Sequence, residues 1–262
     1  MIIVGELING MYKEVREALA KKDKKVIQDL AKRQIEAGAS ILDVNCGPAS
    51  RDPIADMKWL VETIQETNNV SLSLDSTKPD VIEAGLKLVK NKPMINSTSA
   101  DPDRLEVLVG LAIKYKAFLI GLALDKRGVP QDKDRRLELA AQIIGFCQEK
   151  GFPTEDLYLD PVVLPVNVAQ TQQVSMLEAL REFKLLSDPA PKTIIGLSNV
   201  SQGAKDRSII NRIFLVMSLS NGLDAAILDP LDKALMDSFI TAELILNKQI
   251  YCDSYLDAYK KR

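Results

Sequence analysis

The sequence predicts an α/β fold, a (β/α)8 TIM barrel that occupies residues 1–262 as a single domain. Three observations carry that prediction. Short β-branched or apolar runs alternate with longer segments of helical period, eight times over, and nothing is left over for a second domain. Strands separated by helices imply right-handed crossovers and a parallel sheet. No GxGxxG follows any of the runs, so an open dinucleotide-binding sheet finds no support, and 262 residues suit the roughly 250 that eight closed units require.

The strand candidates, in order, are Ile2–Glu6, Ile41–Asn45, Val70–Asp75, Pro93–Ser97, Phe118–Leu124, Leu157–Asp160, Thr193–Asn199 and Ala225–Asp229. Between them lie the helical stretches Lys24–Ala37, Ala55–Glu66, Val81–Lys90, Arg104–Lys116, Asp134–Lys150, Gln170–Ser187, Ser208–Asn221 and Leu231–Leu246. In the first of these, Val26, Ile27, Leu30, Ala31 and Ile35 recur at helical spacing, so one face packs while Lys, Gln and Arg face water. Gly38 and Gly151 fall where a helix end calls for a left-handed residue. Asp101-Pro102 and Ser187-Asp188-Pro189 mark helix starts or loops.

Composition narrows the chemistry. The chain is 46% hydrophobic and 27% charged, ordinary for a globular protein, with a net charge of −2. Its Lys and Arg residues are scattered among Asp and Glu, which argues against nucleic acid or a membrane surface as partner. The apolar runs are strand-sized, too short to cross a bilayer, and Glu6 interrupts Met1–Gly5 at once, so that run reads as a buried strand rather than a signal peptide. Three widely spaced cysteines, Cys46, Cys147 and Cys252, form no disulfide framework and no CxxC, which points to a reducing cytoplasm. Histidine is absent altogether, removing Ser–His and Cys–His nucleophilic pairs and the commonest transition-metal ligand.

Polar residues gather at strand ends. Glu6 closes the first strand, Asp43 and Asn45 the second, Asp75 and Ser76 the third, and Asn96 and Ser97 the fourth. Asp160 closes the sixth, Ser198 and Asn199 the seventh, and Asp229 the eighth. Any one of these is equally well a helix cap or a loop-capping group. Seven of eight strands ending this way is harder to explain by capping, and in a barrel such residues meet at one mouth. Carboxylates and amides without Lys or Arg would bind phosphate poorly and suit a flat heterocycle carrying amino and ring N–H groups, such as a pterin. Asp75, Asp160 and Asp229 would also serve magnesium or calcium, but their spread over distant strands favours the heterocycle, and no metal site is expected. Cys46, beside the mouth, reads as a small buried residue.

In order and spacing, GELING at 5–10, ILDVNCGP at 41–48, LSLDST at 72–77, MINSTSA at 94–100, LYLDPVVLPVN at 157–167, IIGLSNVSQG at 195–203 and RSIINRIFL at 207–215 are specific. Through them, over essentially its whole length, the chain resembles the methyltetrahydrofolate:corrinoid protein methyltransferases. These are part of the pterin-binding superfamily that includes dihydropteroate synthase. The resemblance implies a barrel of the pterin-binding type and an enzyme moving the N5-methyl group between methyltetrahydrofolate and the cobalt of a corrinoid (cobalamin). That chemistry belongs to one-carbon metabolism, acetogenic or O-/N-demethylating. The chain has no Asp-x-His-x-x-Gly cobalamin motif, so the corrinoid would arrive on a partner protein. A homodimer is implied as well.

By the same resemblance, Asp75, Asn96 and Asp160 hydrogen-bond the pterin, and Asn199 reaches N5 and stabilises the charge that develops there. Asp160 also tunes proton supply, so Asn199 and Asp160 carry the catalytic role. Asp43 and Asn45 support the same cradle, Ser198, Gln202 and Arg207 contact the substrate or order their loop, and Glu6 joins the folate-binding set. Leu7 stands where the family's GERxN has arginine, which removes an ion pair with Glu6. Two other readings stay open, a dihydropteroate synthase-like condensing enzyme and a non-catalytic folate-binding subunit. Against the first, AAILDP at 225–230 lacks the basic pair that would hold pyrophosphate.

Overall fold

A computed structural model of the protein describes residues 1–251; Cys252 lies outside them. Eight parallel strands close into a barrel in the order of the chain, β1 through β8. They are β1 (Ile2–Asn9), β2 (Ile41–Asn45), β3 (Ser71–Asp75), β4 (Met94–Ser99), β5 (Phe118–Leu122), β6 (Leu157–Asp160), β7 (Lys192–Gly196) and β8 (Ala225–Leu228). Around them run α1 (Lys13–Lys21), α2 (Lys24–Glu36), α3 (Pro53–Gln65), α4 (Pro79–Leu86) and α5 (Pro102–Tyr115). The ring is completed by α6 (Lys133–Glu149), the one-turn α7 (Val166–Ala169), α8 (Gln173–Phe183), α9 (Arg207–Ser220) and α10 (Lys233–Ile245).

Local sequence explains where the helices begin. Pro53, Pro79 and Pro102 occupy first-turn positions, where a missing N–H costs nothing. Asp23, Asp52, Asp132 and Asp232 each cap a helix by accepting from a backbone N–H inside it. Gly38 and Gly151 take the positive φ expected of them, +104° and +72°.

The period of two along each strand divides the core. Val4, Ile41, Met94, Ile120, Tyr158, Ile194 and Ala225 fill the barrel's interior as one buried cluster. Their neighbours, such as Ile3, Leu42, Ile95, Leu119 and Ile195, point outward into the larger core beneath the helices. Continuing the inward face toward the C-terminal end of each strand replaces Val4 with Glu6, Ile41 with Asp43 and Asn45, Met94 with Asn96, and Tyr158 with Asp160. The inner face is therefore greasy at the bottom and polar at the mouth.

The structure departs from the sequence reading in five main places. The fourth strand, expected to end at Asn96 and Ser97, runs on to Ser99, because a register irregularity between Ile95 and Thr98 keeps it paired with β5. The first strand continues past Glu6 to Asn9, because a register irregularity between Gly5 and Ile8 accommodates Glu6 and Leu7 without ending the pairing with β2. The segment at 13–21 forms a helix of its own, with Val15, Ala18 and Leu19 buried. The seventh strand stops at Gly196, and Leu197–Asn199 coil into a 3-10 turn, so Ser198 and Asn199 sit above the sheet rather than in it. The stretch expected as one helix over Gln170–Ser187 is broken: Gln170–Gln172 form a 3-10 turn and α8 runs only from Gln173 to Phe183.

Candidate active site

The mouth is built from two glycine contacts upward. Gly10, after β1, and Gly47, after β2, lie backbone against backbone: a Cβ on Gly10 would stand 2.0 Å from the Cys46 carbonyl oxygen. The Gly10 N–H donates to the Asn45 carbonyl at 2.8 Å. This contact fixes the end of β2, where Asn45 donates from Nδ2 to Asp75 Oδ2 at 2.6 Å and accepts on Oδ1 from the Gly47 N–H at 2.6 Å. One layer deeper, Ser73 Oγ and Asn96 Nδ2 both donate to Asp43 Oδ1, at 2.6 and 3.1 Å. Asp43, Asn45, Asp75 and Asn96 thus form one cluster across β2, β3 and β4, two hydrogen-bonded groups coupled by the repulsion between the Asp43 and Asp75 carboxylates. The sequence reading missed Ser73, although the alternation in SLSLD places it on the same face as Asp75.

A second network joins β1 to the 3-10 turn after β7. Ser198 Oγ donates to Glu6 Oε1 at 2.7 Å, and Tyr12 also hydrogen-bonds the Glu6 carboxylate. Arg207 holds the turn from outside, donating from Nε to Ser201 Oγ at 3.1 Å and from Nη2 to the Ser198 carbonyl at 3.3 Å. Arg207 thus ties the start of α9 to this turn. Gln202 is exposed; its N–H donates to the Asn199 carbonyl, and its side chain joins neither network among the described residues. Tyr12 lies outside every strand-end motif and carried no sequence signal. Leu7, in place of an arginine, packs against the core beneath the helices, while its N–H donates to Gln34 Oε1 at 3.0 Å.

Asp160 and Asn199 each lie against Gly196, at the end of β7. Asp160, 8% exposed, accepts from the Val162 N–H at 2.7 Å and from the Gly196 N–H. The Asn199 side chain folds back onto Gly196, where an added Cβ would stand 2.9 Å from Nδ2. Only glycine leaves room for this approach. Asn199 is exposed, and its amide makes no side-chain hydrogen bond among the described residues, so it is free to meet a ligand.

Burial dominates the electrostatics. It pushes the Asp160 carboxyl up to about 7, against the pull of the two N–H donors. Burial, reinforced by the neighbouring Asp75 charge, pushes Asp43 up to about 8, and Asp75 is raised by its own burial. Glu6 rises to about 7, again from burial, with Ser198 opposing and Asp229 adding. Asp229, whose carboxylate accepts from the Leu231 N–H, is raised too. Cys46 is buried and its thiol is pushed up to about 12, consistent with a packing role. The mouth is thus lined with carboxyl groups short of cations, able to ionise fully only when something supplies N–H donors to them.

The profile of the pterin binding enzyme family matches residues 10–229. A methylcorrinoid:tetrahydrofolate methyltransferase of Eubacterium limosum is 28% identical, covering 100% of this chain and 97% of that protein. The methionine synthase of Mycobacterium tuberculosis (strain ATCC 25618 / H37Rv) is also 28% identical over 87% of this chain, which spans 20% of its length. Among solved structures, a dihydropteroate synthase from Coxiella burnetii in complex with pteroic acid superposes with a TM-score of 0.71 at 14% identity, over 95% of this chain and 94% of that one. Yersinia pestis DHPS with a pterine-sulfa conjugate superposes at 0.69 and 17% identity, with the same coverage of both chains. At such identities these two establish the barrel and no more.

Proposed function

Because the chain belongs to the pterin binding enzyme family, we propose that it is a methyltransferase moving the N5-methyl group between methyltetrahydrofolate and the cobalt of a separate corrinoid protein. One observation carries the reading. Asp75 and Asp160 end β3 and β6 and Asn96 lies on β4, all with acceptor oxygens short of donors, and Asn199 holds a free amide over Gly196, whose N–H faces Asp160. A pterin's 2-amino, N3–H and N8–H groups match that deficit. The full-length likeness to the Eubacterium limosum enzyme supports the methyl-transfer branch.

The chemistry is displacement at carbon from a tertiary amine, a poor leaving group. The corrinoid, held by its own protein, supplies the nucleophile. N5 takes one proton before or during attack, and as the N5–CH3 bond breaks it keeps the bonding electron pair, giving tetrahydrofolate. Asn199 stabilises the positive charge on N5 through its amide oxygen, and removing one such contact commonly lowers rates by about 10²–10³. Asp160, held near 7, keeps a proton available close to neutral pH and hands it over directly or through water. The exposed Met11 and Tyr12 border an open mouth, as the approach of a protein-bound cobalt requires.

The reading extends to assembly and compartment. Ile209, Ile213, Val216 and Met217 make an exposed apolar stripe along α9, at the spacing of one helix face, and we assign it to a homodimer interface. The free, buried Cys46 and Cys147 suit a reducing cytoplasm. Among the described residues no helix is long and apolar enough to cross a membrane.

The test mixes purified protein, methyltetrahydrofolate and candidate reduced corrinoid proteins and follows the cobalt absorption. Loss of the Co(I) spectrum with matching release of tetrahydrofolate supports the proposal. Folate binding with no demethylation by any reduced corrinoid protein points to a binding subunit. A condensation product dependent on 4-aminobenzoate points to synthase chemistry.

A further inference from the structure

Asp160 owes one of its two N–H donors to an unusual turn. Val162 sits at φ +66°, a left-handed conformation that a β-branched residue adopts only under constraint. The strain is useful: it swings the Val162 N–H onto Asp160 Oδ1 at 2.7 Å. Such geometry persists where the surroundings over-determine it.

Behind the turn stands Arg136, on α6 and 1% exposed. Its Nε donates to the Pro161 carbonyl at 2.9 Å, Nη1 to the Asp132 carbonyl at 3.2 Å, and Nη2 to Gln172 Oε1 at 3.3 Å. Its hydrogen bonds all go to neutral acceptors and no carboxylate forms an ion pair with it among the described residues; the Asp132 charge nearby offsets its burial only in part, so the placement is costly. A guanidinium presents its donors in a fixed plane, and this one ties together the start of α6, the turn after β6 and the 3-10 turn before α8.

We propose that Arg136 is a positioning residue for Asp160: by clamping the Pro161 carbonyl it holds the Val162 turn in the conformation that aims its N–H at the carboxylate. The inference rests on the reading of Asp160 as a pterin ligand. It adds the side chain that sets the carboxylate's orientation from the far side of the barrel wall, where no ligand reaches.

The test compares wild type, R136M, V162G and R136M/V162G in two measurements. The first is methyltetrahydrofolate affinity by calorimetry. The second is the titration of the Asp160 carboxyl by NMR in aspartate-labelled protein without ligand, assigned with Asp160→Asn. R136M is expected to weaken binding on the order of tenfold, the loss of one hydrogen bond to a charged group, and to move the Asp160 titration upward. Glycine adopts positive φ without a clamp, so R136M/V162G is expected to return affinity to within a few-fold of wild type and to bring the titration back. A general loss of stability would not be repaired this way. Wild-type affinity and titration in R136M, or a double variant no better than R136M, overturns the proposal. Should R136M fail to fold, R136K and R136K/V162G, which keep the charge but lose the fork, give the same pair of readouts at smaller amplitude. Failure of the wild type to bind methyltetrahydrofolate counts against the functional reading, and the ligand-free titration then decides the clamp by itself.

Discussion

Asp43→Asn should make the ligand-free protein more stable, and only at high pH. Both of Asp43's donors, Ser73 Oγ and Asn96 Nδ2, converge on Oδ1, which leaves Oδ2 to hold a proton. An asparagine reproduces that protonated form, with its Nδ2 in place of the O–H. The folded carboxyl holds its proton up to about 8 whereas the ordinary value is 3.8. Below pH 4 both folded and unfolded chains are protonated at this site, and the wild type suffers no penalty. As pH rises from 4 to 8 the unfolded chain sheds the proton first, so stability falls until the folded group also ionises. The displacement of roughly four pH units, at about 1.36 kcal/mol each, sets a ceiling of about 6 kcal/mol. Asp75 shares the repulsion and relaxes when either group is protonated, so about 3 kcal/mol is the working expectation, or about 6–12 °C in Tm for a chain of this size. Denaturant melts of both proteins from pH 4 to pH 9 read it directly. A stability difference that does not grow with pH, or a variant weaker than wild type at pH 9, would refute the account of a buried carboxyl kept neutral by its neighbours.

Three further outcomes follow from other parts of the structure. Asn199→Ala should lower single-turnover methyl transfer by about 10²–10³ while leaving folate affinity within a few-fold; transfer at the wild-type rate would remove Asn199 from the chemistry. Gly10→Ala should destabilise the protein by about 2–3 kcal/mol, because its Cβ would drive into the Cys46 carbonyl, and should weaken folate binding through Asn45; an unchanged melting curve would show that the two loops are not packed as described. Ile213→Glu, at the centre of the α9 stripe, should turn a dimer into a monomer in light scattering after size exclusion, and a wild type already monomeric at micromolar concentration removes the interface.

Much of the barrel was legible because its signals are local. Apolar runs such as Ile41–Leu42 and Leu157–Leu159 are buried on both faces, and the acid that follows each, Asp43 or Asp160, marks the mouth. What escaped depends on contacts distant in sequence. Glu6 reads as a terminator, yet β1 continues because an irregular register absorbs it against β2. LSN at 197–199 follows the apolar run TIIG with no Pro or further Gly to stop a strand, but the chain turns there and seats Asn199 on Gly196. Tyr12 reaches Glu6 from a loop, a partnership no spacing announces. Arg136 lies in a helix rich in charged residues and reads as solvated; only the fold buries it behind Pro161.

The central claim is that a pterin lies in the mouth, its polar edge on Asp75, Asn96 and Asp160. A crystal structure of the protein with methyltetrahydrofolate tests it most directly. The account predicts ring nitrogens within hydrogen-bond reach of those three side chains and N5 facing Asn199. A pterin bound elsewhere, or one in the mouth that leaves these side chains unengaged, would contradict it.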